Sequence, residues 1–148
     1  MSQIETTRFG RLEVDEGKII HMPYGMLGFP DRRRFVLLQH KEGSPFFWYQ
    51  SLEDPALAFV LTSPFLILAD YHVDMKDAFK KMEWKENGDG GKIQLYVVVN
   101  IPKGSPERMT ANMIGPVLVN VDIREAVQIV VADSSYSHQS AILTPSKS

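Results

Sequence analysis

Ile93-Gln-Leu-Tyr-Val-Val-Val-Asn-Ile101 is followed, after a turn-rich interval, by Pro116-Val-Leu-Val-Asn-Val-Asp-Ile123 and at once by Ala126-Val-Gln-Ile-Val-Val131. β-branched residues crowd all three runs, and polar residues return at alternate positions. That is the period of a strand, whose side chains point to opposite faces in turn. In the first run Ile93, Leu95, Val97, Val99 and Ile101 share a face, opposite Gln94, Tyr96, Val98 and Asn100. In the second, Val117, Val119, Val121 and Ile123 oppose Leu118, Asn120 and Asp122. The runs predict central strands of an antiparallel sheet, with one face on the core and one partly wet.

Upstream of this centre, residues 4–14 predict two short strands around a turn at Gly10, and residues 17–22 another, ended by Pro23. Pro23-Tyr-Gly25-Met-Leu-Gly28-Phe29-Pro30 holds two glycines and two prolines in eight residues. That composition demands a loop with specific turns. Its apolar members, Tyr24, Met26, Leu27 and Phe29, either fold back onto the core or form a surface for a partner. Asp31-Arg32-Arg33-Arg34 leads into a strand at 35–39, Phe46-Phe-Trp48-Tyr49-Gln50-Ser51 is an aromatic strand, and residues 56–61 are apolar on both faces. Residues 64–68 read as irregular or as a short edge strand, because proline cannot donate to a ladder. Residues 71–73 could pair briefly. Asp74 reads as the N-cap of a short helix with Met75, Ala78, Phe79 and Met82 on one face, lidding one end of the sheet.

Downstream, residues 87–91 read as a glycine-rich loop and residues 109–114 as a strand bent at Gly115-Pro116. The domain is expected to span residues 1–137, with a loose tail at 138–148. The sum is mostly β: a small antiparallel β-barrel-like single domain with one short accessory helix. A barrel is preferred to a sandwich because the apolar runs are continuous and bent, which helps a sheet close on itself.

The chain has 148 residues, which suits one domain on a prior of roughly 100–200 residues each. A domain of that size buries about 68–70% of its unfolded surface and needs no staples. It has no cysteine, which excludes disulfides, thiolate nucleophiles, iron–sulfur clusters and zinc ribbons. The N-terminus lacks the apolar core of a signal peptide, and no apolar run reaches the roughly 18 residues of a membrane helix. A cytoplasmic protein is expected. The net charge is −2, from 16 Lys and Arg against 18 Asp and Glu. A dedicated nucleic-acid binder usually carries a basic excess, because phosphate neutralisation supplies much of its affinity.

Chemistry is sparse. The four histidines, His21, His40, His72 and His138, make no H-E-x-x-H spacing. His72 lies between Asp70 and Asp74, but a tight metal site needs three or four convergent ligands. Asp133, Ser134, Ser135 and His138 are close in sequence, yet adjacency is not triad geometry, and no G-x-S-x-G elbow occurs. Residues 87–91 lack the lysine of a phosphate loop. No catalytic residue, cofactor or metal is therefore expected. Arg32, Arg33 and Arg34 with the aromatics Phe46, Phe47, Trp48 and Tyr49 suggest an alternative, an oligonucleotide-binding barrel with a basic groove and stacking platforms. A solvated arginine turn beside a core aromatic strand is the plainer reading. Glu53, Asp54, Asp70 and Tyr71 form a candidate rim for a basic protein partner, through electrostatic complementarity. Asn112 and Asn120 join the candidates because they could orient backbone at the bend near Pro116.

Several stretches together carry a resemblance. They include Thr7-Arg8-Phe9-Gly10, Pro23-Tyr-Gly25-Met-Leu-Gly28-Phe29, Arg34-Phe35-Val-Leu-Leu38 and Tyr49-Gln50-Ser51-Leu-Glu-Asp54-Pro55. The most specific is Met109-Thr110-Ala111-Asn112-Met113-Ile-Gly-Pro116-Val-Leu-Val-Asn120. From about residue 4 to about residue 137 the chain resembles the flagellar assembly factor family FliW. Met26 stands where the family usually has Leu or Ile, and Met113 where Leu is usual, swaps that conserve volume. His138-Gln139 replaces an arginine that the family often carries there. The resemblance implies a small β-barrel-like fold, no enzymatic activity and no cofactor. It implies two protein partners, the RNA-binding translational repressor CsrA and flagellin. It implies that the factor antagonises CsrA allosterically and so relieves repression of flagellin translation, with free flagellin competing for the factor. It implies no direct nucleic-acid binding and no membrane.

Overall fold

The computed structural model describes residues 2–39, 41–85, 92–132 and 135–142. In chain order the strands are β1 (Ser2–Thr6), β2 (Gly10–Val14), β3 (Ile20–His21), β4 (Arg34–Gln39), β5 (Phe46–Ser51) and β6 (Ala58–Thr62), followed by one helix, α1 (Lys76–Met82). Then come β7 (Ile93–Asn100), β8 (Thr110–Ala111), β9 (Val117–Asn120), β10 (Glu125–Gln128) and β11 (Ser140–Ala141).

The ring closes through β7. One edge of β7 pairs with β6, from Val97 opposite Thr62 to Val99 opposite Val60. The other edge is shared: Ile93 to Tyr96 pair with β9, and Val99 and Asn100 pair with β8. The circuit β7-β6-β5-β4-β3-β10-β9 returns to β7 and makes a seven-stranded barrel. One seam departs from the wholly antiparallel expectation. β3 and β10 run parallel, matched only at His21 and Glu125, and His21 N donates to Arg124 O at 2.9 Å.

Alternation sorts the side chains. Phe35 and Leu37, Phe47 and Tyr49, Phe59 and Leu61, and Tyr96 and Val98 fill the interior with Val117, Val119 and Ala126. Phe35 and Tyr49 stack nearly parallel at 4.4 Å between centroids, and Phe47 meets Tyr96 edge-on at 5.8 Å. The partly wet outer face foreseen from the sequence is instead covered by three separate devices. The β1–β2 hairpin lays Val14, Ile4 and Leu12 over Val36 and Leu38. Helix α1 and Trp84 cover Leu118 and Val127, so the helix sits on a flank of the barrel rather than lidding an end. Tyr71, Met113, Tyr136 and Ile142 cover Val97 and Val99. All four residues of β9 are buried as a result.

Several boundaries move for local reasons. The second run ends at Asn120, not at residue 123. The Asn120 Oδ1 accepts from Asp122 N at 3.1 Å and Ile123 N at 3.4 Å, and Arg124 takes a left-handed φ of 54°. The strand expected over 17–22 shrinks to β3, preceded by a 3-10 turn at Glu16–Lys18 that the Asp15 side chain opens. Residues 64–66 form a 3-10 turn, with Ser63 accepting from Phe65 N, and residues 71–73 pair with no strand. Asp74 accepts from Lys76 N at 3.0 Å, although Met75 occupies the cap position. Of residues 109–114 only β8 is strand. Residues 138–142, expected in a loose tail, include β11 paired with β8 and the buried Ile142. His40, the loop 87–91, Asp133, Ser134 and residues 143–148 lie outside the described residues.

Of the apolar members of the loop between Pro23 and Pro30, Met26 folds back onto the core, while Tyr24, Leu27 and Phe29 stay exposed. Met26 plugs the barrel at 2% exposure, while Gly25 and Gly28 hold φ values of 65° and 87°. A Cβ at Gly25 would lie 2.4 Å from Phe29 O, whereas one at Gly28 would meet nothing within 4 Å. Gly28→Ala is therefore expected to cost only the left-handed penalty of about 1–2 kcal/mol, and Gly25→Ala clearly more. Urea denaturation of the two variants measures the difference.

Candidate functional site

The acidic rim and the basic turn foreseen from the sequence meet each other. Glu53 and Asp54 follow β5, and Arg32 to Arg34 precede and open β4, its antiparallel neighbour. Glu53 Oε1 accepts from Arg33 N at 2.9 Å and Arg34 N at 3.1 Å, and its Oε2 lies 3.5 Å from Arg34 Nε. Asp54 Oδ2 lies 3.3 Å from Arg32 Nη2, while its Oδ1 accepts from Ala56 N at 3.1 Å. These carboxylates clamp two turns together. Their charge is compensated within the fold.

The other candidates are dispersed. Asp70 is exposed, and its backbone oxygen lies 3.2 Å from His72 Nδ1. Tyr71 is buried at 3% exposure, so it belongs to the core and not to a rim. Its hydroxyl donates to Met113 O at 2.8 Å, and its ring packs 4.8 Å from that of Tyr136. Burial, with a smaller contribution from Tyr136, pushes the Tyr71 hydroxyl up to about 12. Asn112 Oδ1 accepts from Ile114 N and Gly115 N, each at 3.0 Å, and thus shapes the bend before Pro116. Asn120 is fully buried and turns the chain after β9.

The oligonucleotide alternative does not assemble. Phe47 and Tyr49 point into the barrel, and Arg32 and Arg34 are paired with carboxylates. Among the described residues, no group of three or more His, Cys, Asp or Glu side chains could hold a metal ion. No helix among them is long and apolar enough to cross a membrane.

The structure also brings together a surface of which the sequence indicated only the outward half of Phe46 to Tyr49. At the barrel wall where β6 and the end of β7 part, a groove of about 480 Å³ is lined by Arg8, Trp48, Ala58, Phe59, Val60, Val98, Val99, Asn100 and Ile101. The Arg8 guanidinium lies 4.1 Å above the Trp48 ring, and Phe9 meets Trp48 edge-on at 5.9 Å. Ile101 is 43% exposed. Walls that mix apolar side chains with polar ones such as Arg8 and Asn100 suit recognition of another molecule. The sequence signal was present in the alternation of Phe46 to Tyr49, which leaves Trp48 facing out. Arg8 gave none, because only the hairpin fold carries it there.

Comparison with known proteins gives a consistent result. A family model described as FliW protein matches residues 3–142. A protein of Magnetococcus marinus (strain ATCC BAA-1437 / JCM 17883 / MC-1) described as flagellar assembly factor FliW is 38% identical over 135 residues, covering 90% of this chain and 81% of that protein. One of Geobacter sulfurreducens with the same description is 40% identical over 134 residues, covering 90% and 82%. A crystal structure of the flagellar assembly factor FliW superposes with a TM-score of 0.84 at 29% identity, covering 99% of this chain and 100% of that one.

Two outcomes follow from the site geometry. Glu53→Ala removes the acceptor for two backbone N–H groups and is expected to lower stability by about 1–3 kcal/mol. Asp70→Ala, at an exposed carboxylate, is expected to stay within about 0.5 kcal/mol; thermal or urea unfolding separates them. Because Tyr71 keeps its proton to higher pH in the folded state, its contribution is complete below the unfolded value of 10.0 and is lost as pH rises toward about 12. In unfolding titrations across that range, Tyr71→Phe should flatten the decline, leaving the shares of Tyr49 and Tyr96, which burial also raises.

Proposed function

Because this chain belongs to the FliW family of flagellar assembly factors, we propose that it works by binding two proteins in turn, the translational repressor CsrA and flagellin. The family role is one of assembly rather than of catalysis. In this reading the factor holds CsrA in a form with lowered affinity for RNA, touching it away from the RNA groove. Flagellin competes for the factor. Export of flagellin then frees the factor, CsrA is antagonised, and flagellin translation resumes. Such coupling requires that the factor bind the two states of CsrA with different affinity. It acts in the cytoplasm, where translation takes place, and contacts neither nucleic acid nor membrane.

The observation that supports the reading is the disposition of polar groups. Glu53, Asp54, Asn112 and Asn120 are all engaged in holding backbone turns, while a groove of mixed polarity stays open on the barrel wall. That is the layout of a rigid binding body.

Electrophoretic mobility shift with CsrA and a flagellin leader RNA tests it. Added factor is expected to release the RNA, and equimolar flagellin to restore the CsrA–RNA complex. If the factor co-elutes with neither protein in size-exclusion chromatography, the reading is wrong.

A further inference from the structure

The two ends of the barrel differ in charge. Strand direction sorts the loops between them. β4 runs antiparallel to β3 and β5, β6 antiparallel to β5 and β7, and β10 parallel to β3. One end therefore gathers the loop from Pro23 to Arg33, the turn after β5, residues 101–109 and residues 129–131. The tip of the N-terminal hairpin is held there too, by the 2.8 Å bond from Thr7 N to Pro55 O. This end carries Arg8, Arg32, Arg33, Arg34, Lys103 and Arg108 against Asp31, Glu53, Asp54 and Glu107. Glu53 and Asp54 are already engaged by Arg34 and Arg32. Arg8 lies over Trp48, and Arg33 Nε donates to Pro30 O at 3.5 Å. Among the described residues neither forms an ion pair with a carboxylate. The end is thus locally basic on a chain whose net charge is −2. Loops at the opposite end are balanced, with Asp15, Glu16, Glu42 and Asp122 against Lys18, Lys41, Lys92 and Arg124.

The basic end also exposes apolar side chains: Leu27 at 53%, Phe29 at 38%, Ile101 at 43% and Val130 at 66%. They form a row. Leu27 N donates to the side chain of Gln128, two residues before Val130. Phe29 meets Phe59 edge-on at 5.6 Å, and Phe59 lines the groove together with Ile101 and Arg8. The row crosses the mouth of the barrel above the Met26 plug and ends at a guanidinium. A contiguous exposed apolar surface edged by polar groups marks a site of protein interaction. A row of this kind matches the apolar stripe of an amphipathic helix, whose anchors recur at three- and four-residue spacing. The cations beside the row select the charge of that helix's margins.

We propose that this end of the barrel docks an amphipathic helix of a protein partner, with its apolar stripe on Leu27, Phe29, Ile101 and Val130 and its flanking carboxylates on Arg8 and Arg33. The proposal rests on the reading of the chain as a binder of proteins, and it assigns the face and the chemistry of the bound segment. The acidic rim expected from the sequence pointed to a basic partner. Glu53 and Asp54 do lie at this end, but Arg34 and Arg32 neutralise them, so the complementary segment is acidic.

The test uses the full chain and two fluorescein-labelled helical peptides of one design, with leucine along one face and either glutamate or lysine along both margins. Fluorescence anisotropy is expected to show about fivefold tighter binding of the glutamate peptide, the scale of an exposed ion pair. Arg8→Glu combined with Arg33→Glu, both at exposed positions, should reverse the preference. In the otherwise unchanged chain, a benzophenone amino acid at Leu27 or Val130 should cross-link to the glutamate peptide. The same group at Val121 or Ile123, exposed in the turn at the opposite end, should not. No binding of either peptide, equal or tighter binding of the lysine peptide, a preference that the double substitution leaves unchanged, or cross-links from Val121 or Ile123 overturns the proposal. Failure of the functional reading shows separately, as absence of CsrA and flagellin binding by the same preparation.

Discussion

Closure of the sheet on β7 is the constraint from which the rest of the structure follows. The four residue pairs between Ile93–Tyr96 and β9 turn an open sheet into a ring. A closed ring removes the exposed edges that an open sheet would present, and it divides every strand into an inner and an outer face. The inner face is filled by aromatic and branched side chains around Phe35 and Tyr49. The outer face still carries Val36, Leu118, Val127, Val97 and Val99, which water would penalise by roughly 25 cal/mol per Å² of apolar surface. Three attachments remove that surface from water: the N-terminal hairpin, the helix with Trp84, and the segment around Tyr71, Met113 and Ile142. Each is small and none closes on itself. They fold because the barrel offers them an apolar wall.

Polar side chains serve the same end. Gln128 accepts from Leu27 N through Oε1 and donates to Gly115 O through Nε2, both at 2.9 Å. One amide thus ties the Pro23–Pro30 loop to the bend before β9. Glu53 and Asp54 tie the end of β5 to the start of β4. A backbone fixed at so many turns loses little freedom when a partner binds, which favours affinity by lowering the ordering cost. The same economy commits Gln128, Glu53 and Asp54 to main-chain donors and acceptors.

Much of the fold was legible because period two survives burial. Residues 46–51 are bounded as the sequence indicates, and the pairing of residues 2–6 with 10–14 around Gly10 is there too. Ends were harder to read. Val121 and Ile123 continue the apolar alternation of β9, yet the Asn120 side chain bonds its own backbone two and three residues on and turns the chain. A side-chain hydrogen bond outweighed pattern there. The partly wet outer face was misjudged because the covering elements are remote in sequence: Val14 covers Val36, and Ile142 covers Val99. The candidate site was less legible still. Glu53 and Asp54 look like surface charge until register places Phe35 opposite Ser51 and brings Arg34 beside them. Tyr71 looks like rim until its hydroxyl is seen to reach Met113, 42 residues away.

The gap between β6 and the end of β7, beyond the Val60–Val99 pair, and the C-terminal arm are two consequences of one strand. β7 is longer than the strands it meets, so no single neighbour satisfies either edge. Along one edge β9 takes the first half and β8 the last two residues. Along the other, β6 matches only Val97 to Val99. At Asn100 the strand keeps a partner on the β8 side and has lost it on the β6 side. β8 in turn carries β11, whose continuation buries Ile142. The position left open in the barrel wall thus adjoins the position where the last described strand is anchored, and both meet at Val99, which pairs with Val60 on one edge and Ala111 on the other.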